Sequence, residues 1–207
     1  MTMHRVPNYG SFMQALSLKR MIELLGHEVI FIDYKVDPDI EHRKNIKSML
    51  ICKKNLMAKR VKGTKFGGRI YYKIKSYSHS QNIVEKQKIF ASCNEMLGIT
   101  EQYHFRSKVD VLVIGSDEVF NCTQLGYNVG YSLELFGKNC RAERIITYAA
   151  SFGSTTFSKL SYYGVTTELS GFLNNISALS VRDANSQFIV KKLCNKDVER
   201  HLDPVLV

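Results

Sequence analysis

Residues 109–117 read Val109-Asp110-Val111-Leu112-Val113-Ile114-Gly115-Ser116-Asp117. A short, β-branched, almost continuously apolar run that stops at Gly-Ser-Asp predicts a strand buried on both faces, the kind that parallel sheets contain. A second such run, Ile145 to Ala150, follows a polar, glycine-containing loop. Downstream, the pattern predicts a helix over Thr156 to Leu173, a short strand over Ala178 to Val181, a helix over Ala184 to Leu193 and a last strand over Val198 to Leu202, ending in Asp203-Pro204. Upstream, Ser11 to Gly26 repeats apolar residues at helical spacing, with Ser11 as N-cap and Gly26 as C-cap. His27 to Tyr34 reads as a strand, Met1 to Arg5 as the end of a first strand that looks cut short, and Ser80 to Leu97 as a helix closed by Gly98. Helices and strands that alternate in this way give an α/β class, read as a Rossmann-like three-layer domain with a mostly parallel sheet.

The composition fits a folded chain: of 207 residues 44% are hydrophobic and 23% charged, and no window approaches the roughly 20 apolar residues of a membrane span. The N-terminus lacks the apolar region of a signal peptide. Five cysteines (Cys52, Cys93, Cys122, Cys140, Cys194) have no CxxC or zinc spacing, which suits reduced thiols and a cytoplasmic location. Six histidines form no HxxxH or HExxH pattern, so no metal site is expected. The net charge of +10 is local. Between His42 and Lys75 stand twelve Lys or Arg and no acid, leaving 17 cations against 19 anions elsewhere, a net of −2. Apolar positions within this segment (Ile46, Met49, Leu50, Leu56, Met57, Val61) suggest amphipathic helices.

Ligands of open parallel sheets bind beyond the carboxyl ends of the strands, where helix N-termini present free N–H groups. The predicted exits carry Asn8-Tyr9-Gly10-Ser11, Gly115-Ser116-Asp117-Glu118, Ser151-Phe152-Gly153 and Arg182-Asp183. Gly10 before a helix cap lets backbone approach an anion or a sugar hydroxyl, although an ordinary capped turn explains the tetrapeptide as well. Asp117 is the candidate catalytic residue, orienting a hydroxyl or acting as base; the rival reading is a turn cap. Arg182, at a predicted helix start, can grip a phosphate or carboxylate, or else pair with Asp183 or another acid. Neither GxGxxG nor GxxxxGK[ST] nor GxSxG occurs, which weakens NAD, ATP and serine-hydrolase readings.

Taken in order, Asn8-Tyr9-Gly10-Ser11 with Gln14-Ala15-Leu16, then Ile32-Asp33-Tyr34, Ile114 to Asn121, Tyr148 to Gly153, Ser180 to Asp183 and Leu202-Asp203-Pro204 resemble the polysaccharide pyruvyl transferase family. The resemblance implies one half of a GT-B-like fold, with a Rossmann-like N-terminal domain over 1–180 and the start of a second domain over 181–207. It implies transfer of pyruvate from phosphoenolpyruvate to a pair of sugar hydroxyls, with no cofactor and with the general acid outside this chain. Phe120 stands where the family usually has Trp. The site residues it implies are Asp117 as catalytic and Asn8, Tyr9, Gly10, Ser11, Gly115, Ser116, Ser151, Phe152, Gly153 and Arg182 as substrate-binding. The expected partner is a sugar or lipid-linked glycan, and segment 42–75 is expected to meet an anionic membrane surface, ahead of nucleic acid, because its basic run has few aromatics. The rival classes are a GT-B-type glycosyltransferase domain that binds a nucleotide sugar, and a non-catalytic domain that binds an anionic glycan or a protein partner.

Overall fold

A computed structural model describes residues 1–37, 40, 90–124 and 131–207. The basic segment 42–75 and most of the helix expected over Ser80 to Leu97 lie outside these residues.

The run read as the deciding strand forms β1 (Lys108–Gly115); the second run, read over Ile145 to Ala150, supplies only the last half of β2 (Arg141–Tyr148), which starts four residues earlier and stops at Tyr148. They pair in parallel from Lys108 opposite Arg141 to Gly115 opposite Tyr148. Beyond β2, single bridges join Ile146 to Ala178 and Ala150 to Val181, and β3 (Ser180–Val181) pairs in parallel with β4 (Glu199–Arg200). The result is a mixed helix and strand chain with short parallel sheets, compatible with the α/β class.

Local chemistry places the helix ends. Helix α1 (Tyr9–Leu24) starts two residues before Ser11, because the Asn8 side chain is the N-cap and accepts the Gly10 N–H at 2.7 Å. That leaves the Ser11 hydroxyl free for a longer-range partner. Helix α2 (Ala91–Leu97) ends, as read, at Gly98 in the left-handed region. The helix expected over Thr156 to Leu173 is two helices, α3 (Phe157–Tyr163) and α4 (Thr166–Asn174). They part at Gly164, whose φ of +68° lets the Val165 N–H turn back to the Leu160 carbonyl. Helix α5 (Ala184–Cys194) agrees with the helix read there.

Two expectations fail among the described residues: neither Met1 to Arg5 nor His27 to Tyr34 forms a strand. Periodicity reports burial, whereas a ladder needs a neighbour. The backbone link of Asp33 goes to the His104 carbonyl in a loop, at 2.9 Å. The predicted strands over Ala178 to Val181 and Val198 to Leu202 are present but shortened.

The core lies between the sheet and α3, α4 and α5, with Ile114, Leu160, Leu169, Leu173, Val181 and Ile189 buried. An aromatic cluster pins the loops after β1 and β2. Phe120 stacks on Phe136 at 4.5 Å and tilts against Phe152 at 5.2 Å. Burying three such rings stabilises the fold by several kcal/mol, at about 1.5–3 kcal/mol per fully buried side chain. Phe120 and Phe152 are therefore structural pins under the strand exits.

Candidate functional site

Gly115 begins the site because nothing larger fits. Its φ is +132°, and a Cβ there would collide with the Tyr148 carbonyl of the paired strand. Gly115→Ala is expected to destabilise the protein by about 2–4 kcal/mol, from left-handed strain plus an overpacking clash. Urea unfolding checks it, and a loss under 0.5 kcal/mol, the range of a neutral surface change, would contradict the geometry.

The turn that follows is tied to α1. Gln14 of α1 is 2% exposed and uses its whole amide: Nε2 donates to Thr2 Oγ1 and the Ser11 carbonyl, each at 2.9 Å, and Oε1 accepts from the Ser116 N–H and hydroxyl. This clamp sets the first turn of α1 against the β1 exit. Across the junction the Ser11 hydroxyl donates to Asp117 Oδ2 at 2.8 Å, and the Glu118 N–H donates to Oδ1 at 2.9 Å. Asp117 is thus held in place without capping any helix. Among the described residues no cation pairs with it.

The β2 exit closes on the same turn. The Ser151 N–H donates to the Asp117 carbonyl at 3.1 Å, and the Ser151 carbonyl accepts from the Phe120 N–H. The Ser151 hydroxyl donates to Asp183 Oδ2 at 2.6 Å and accepts from the Gly153 N–H. A Cβ on Gly153 would collide with the Glu118 carboxylate, whose Oε2 also accepts from Asn121 at 2.8 Å. Asp183 caps α5 through the Ser186 N–H, so α5 starts at Ala184, two residues later than an opening at Arg182 requires. Burial raises the pKa of Asp183, but hydrogen bonds from Ser151 and Ser186 and the charge of Arg182 outweigh it and hold the carboxyl below its ordinary value.

Arg182 is engaged elsewhere: Nη1 donates to Asp203 Oδ2 at 2.7 Å, and Asp203 Oδ1 accepts the Val205 N–H. The 3-10 turn at Pro204–Leu206 packs against α1, so the chain returns across this end of the sheet. Its partner acid lies 21 positions away in the chain, the "other acid" of the alternative reading.

Ser11, Ser116, Asp117, Ser151, Gly153 and Glu118 are brought together, Asn8 and Gly10 form the capping turn, and Tyr9 lies exposed against Phe90, with ring centres 4.7 Å apart. Tyr34 and Asp183 were not singled out from the sequence. Burial, with the charges of Asp117 and Asp33, pushes the Tyr34 phenol up, so it stays protonated beside Asp117. Its signal was Ile32-Asp33-Tyr34, an exit from the strand that did not form a ladder.

The strand exits therefore gather three carboxylates, Asp117, Glu118 and Asp183, with two serine hydroxyls. Carboxylates held by neutral donors accept from hydroxyls, and no three His, Cys, Asp or Glu among the described residues converge as a metal site. No described helix is long and apolar enough to cross a membrane. No curated protein and no solved structure matches the chain. The family model of the polysaccharide pyruvyl transferases matches residues 8–207, from the Asn8 cap to the end of the chain, and the protein belongs to that family.

Proposed function

We propose that the strand exits are the acceptor side of a pyruvyl transferase, which moves pyruvate from phosphoenolpyruvate to a hydroxyl pair of a polysaccharide precursor. The observation that carries this reading is the charge at the strand exits: Asp117, Glu118 and Asp183 stand there, held by Ser11, Asn121 and Ser151, while Arg182 is held by Asp203. A doubly anionic donor needs convergent positive charge, whereas sugar hydroxyls need acceptors, and the described residues supply acceptors.

In the reaction one sugar oxygen attacks C2 of the enol and loses its proton, while the methylene carbon takes up a proton. The second hydroxyl oxygen then attacks C2 and its proton passes to the departing phosphate, which leaves with the C–O bond electrons, and a cyclic ketal remains. Asp117 orients the attacking hydroxyl and receives its proton; Ser11 fixes the carboxylate for that task. The acid that protonates the methylene is proposed to lie outside the described residues. The architecture proposed around this site is a Rossmann-like three-layer domain, one half of a GT-B-like fold. The proposed setting is the cytoplasmic face of a membrane that carries lipid-linked glycan, approached by segment 42–75.

Saturation-transfer NMR on the full chain separates the possibilities. Signals from a disaccharide acceptor that fade in Asp117→Asn support the acceptor side. Saturation of UDP-sugars with none of the acceptor would replace it with a nucleotide-sugar transferase, and binding of an acidic glycan alone, unaffected by Asp117→Asn, would leave a non-catalytic domain.

A further inference from the structure

A cavity of about 620 Å³ lies between Arg5, the Asp33-Tyr34 pair, helix α2 and the loop from Ile99 to Tyr103. Its volume falls within the range of about 300–1,000 Å³ that small-ligand sites occupy. Two observations tie it to the strand exits. Tyr34 lines the cavity, and its phenol lies within the field of the Asp117 carboxylate. Phe90, the residue before α2, packs on Tyr9 in the first turn of α1, the turn whose Ser11 holds Asp117. A chain molecule bound at Asp117 has a path past Tyr34 into this space.

The charges around the cavity select against an anion. Its guanidinium is already engaged: Arg5 donates to both oxygens of Asp33 and to the carbonyls of Thr100 and Gln102. His4 is buried against Asp33, and burial holds its pKa below the ordinary value, so it is neutral at pH 7. No other Lys, Arg or His stands among the described residues that line the cavity. A phosphate or carboxylate needs convergent positive charge and finds none free. The groups that remain without a hydrogen bond to a described residue are the Tyr34 and Tyr103 hydroxyls, the Asn94 side-chain amide and the Glu101 carboxylate. They supply donors and acceptors to one space, and Val36, 41% exposed, adds apolar surface. Sugar hydroxyls both donate and accept, and the C–H groups of a pyranose ring are apolar, so an uncharged sugar matches this mixture.

We propose that this cavity extends the acceptor site and binds an uncharged sugar of the glycan, the unit next to the one that receives pyruvate. The proposal rests on the acceptor reading of the strand exits. Asn94 and Glu101 take the hydroxyls of that unit, Tyr34 and Tyr103 donate to its oxygens, and Val36 meets its C–H face. The cavity then makes the protein prefer a glycan chain to a free monosaccharide, and a neutral unit at this position to an acidic one.

The test titrates the full chain with glucose, galactose and N-acetylglucosamine, with a β-linked tetrasaccharide of each, and with tetragalacturonate as the acidic probe, read by ¹H–¹⁵N NMR. A neutral tetrasaccharide is expected to bind about 10-fold more tightly than its monosaccharide, the value of one or two net hydrogen bonds. It is also expected to shift the Asn94 side-chain amide and the backbone amides of Thr100 to Tyr103, which the monosaccharide leaves in place. Tetragalacturonate is expected to show no such gain. The double variant Asn94→Ala/Glu101→Ala is expected to abolish the gain and keep the affinity for the monosaccharide, since neither side chain bonds to a described residue. Equal binding of tetrasaccharide and monosaccharide, a gain that survives the double variant, or an equal gain for tetragalacturonate would overturn the proposal and leave the acceptor reading standing. Monosaccharide binding that Asp117→Asn leaves unchanged would instead remove the acceptor reading, and no binding of any saccharide would remove both. Should the double variant unfold, the amide shifts of the wild type decide, and their absence from Asn94 and Thr100 to Tyr103 overturns the proposal.

Discussion

Asp33→Asn is expected to lower the unfolding free energy by about 3–5 kcal/mol, the effect of removing one partner from a buried ionic cluster. Its side chain is 4% exposed and gathers four donors. His4 Nε2 lies at 3.0 Å, Arg5 binds both oxygens through Nε and Nη2, and the His104 N–H donates at 2.7 Å. Arg5 spreads the tie further, donating to the carbonyls of Thr100 and Gln102 and lying 4.0 Å over the Tyr103 ring. Asparagine keeps the shape but no longer neutralises Arg5. The pH dependence follows from the same contacts. Burial raises the Asp33 pKa, but the His4, Arg5 and His104 hydrogen bonds outweigh it and hold the carboxyl well below the ordinary range. A carboxyl depressed on folding contributes stability above its unfolded value, about 3.9, and the contribution is lost as pH falls from there toward the folded value. The wild type is therefore expected to lose stability below about pH 4 more steeply than Asp33→Asn, by urea unfolding at stepped pH. Parallel slopes would show that the cluster is not ionised as described.

Asp117→Asn is expected to reduce pyruvyl transfer by the full-length protein about 10²–10⁴-fold, the range for a positioned general base. Asparagine still accepts from Ser11, and the Gly115 turn rests on Gln14 and Tyr148, so the melting temperature is expected to stay within about 2 °C of wild type, less than a single kcal/mol produces. Turnover within a few-fold of wild type would remove Asp117 from the chemistry. A normal rate constant with a raised KM would make it a sugar-binding residue only.

These two aspartates also show what the sequence makes legible. Asp117 was readable because β1 is an apolar run whose end is marked by Gly115, and position at a strand exit is a local property. Helix α5 and strand β2 were readable on the same ground. Asp33 stood in the quoted Ile32-Asp33-Tyr34, but its partners His4, Arg5 and His104 come from segments 29, 28 and 71 positions away, which periodicity does not connect. Arg182 shows the same limit: helix proximity suggested an anion grip, and its ion pair with Asp203 depends on the path the chain takes after β4. Phe152 stood at an exit and was read as lining, yet its ring packs against Phe120 and Phe136, because a loop residue follows whichever cavity lies beneath it. His27 to Tyr34 has the composition of a strand, but composition reports burial, and among the described residues no strand pairs with this stretch.

The central claim is that this family member uses its carboxylate-lined strand exits to present sugar hydroxyls to phosphoenolpyruvate. The most direct measurement incubates the full-length protein with ¹³C-labelled phosphoenolpyruvate and glycan precursors from its own cells, and follows both by mass spectrometry. The account predicts labelled pyruvate ketal on a sugar, with one phosphate released per ketal and with the product lost in Asp117→Asn. Intact phosphoenolpyruvate together with transfer of a sugar from an added nucleotide sugar would contradict it.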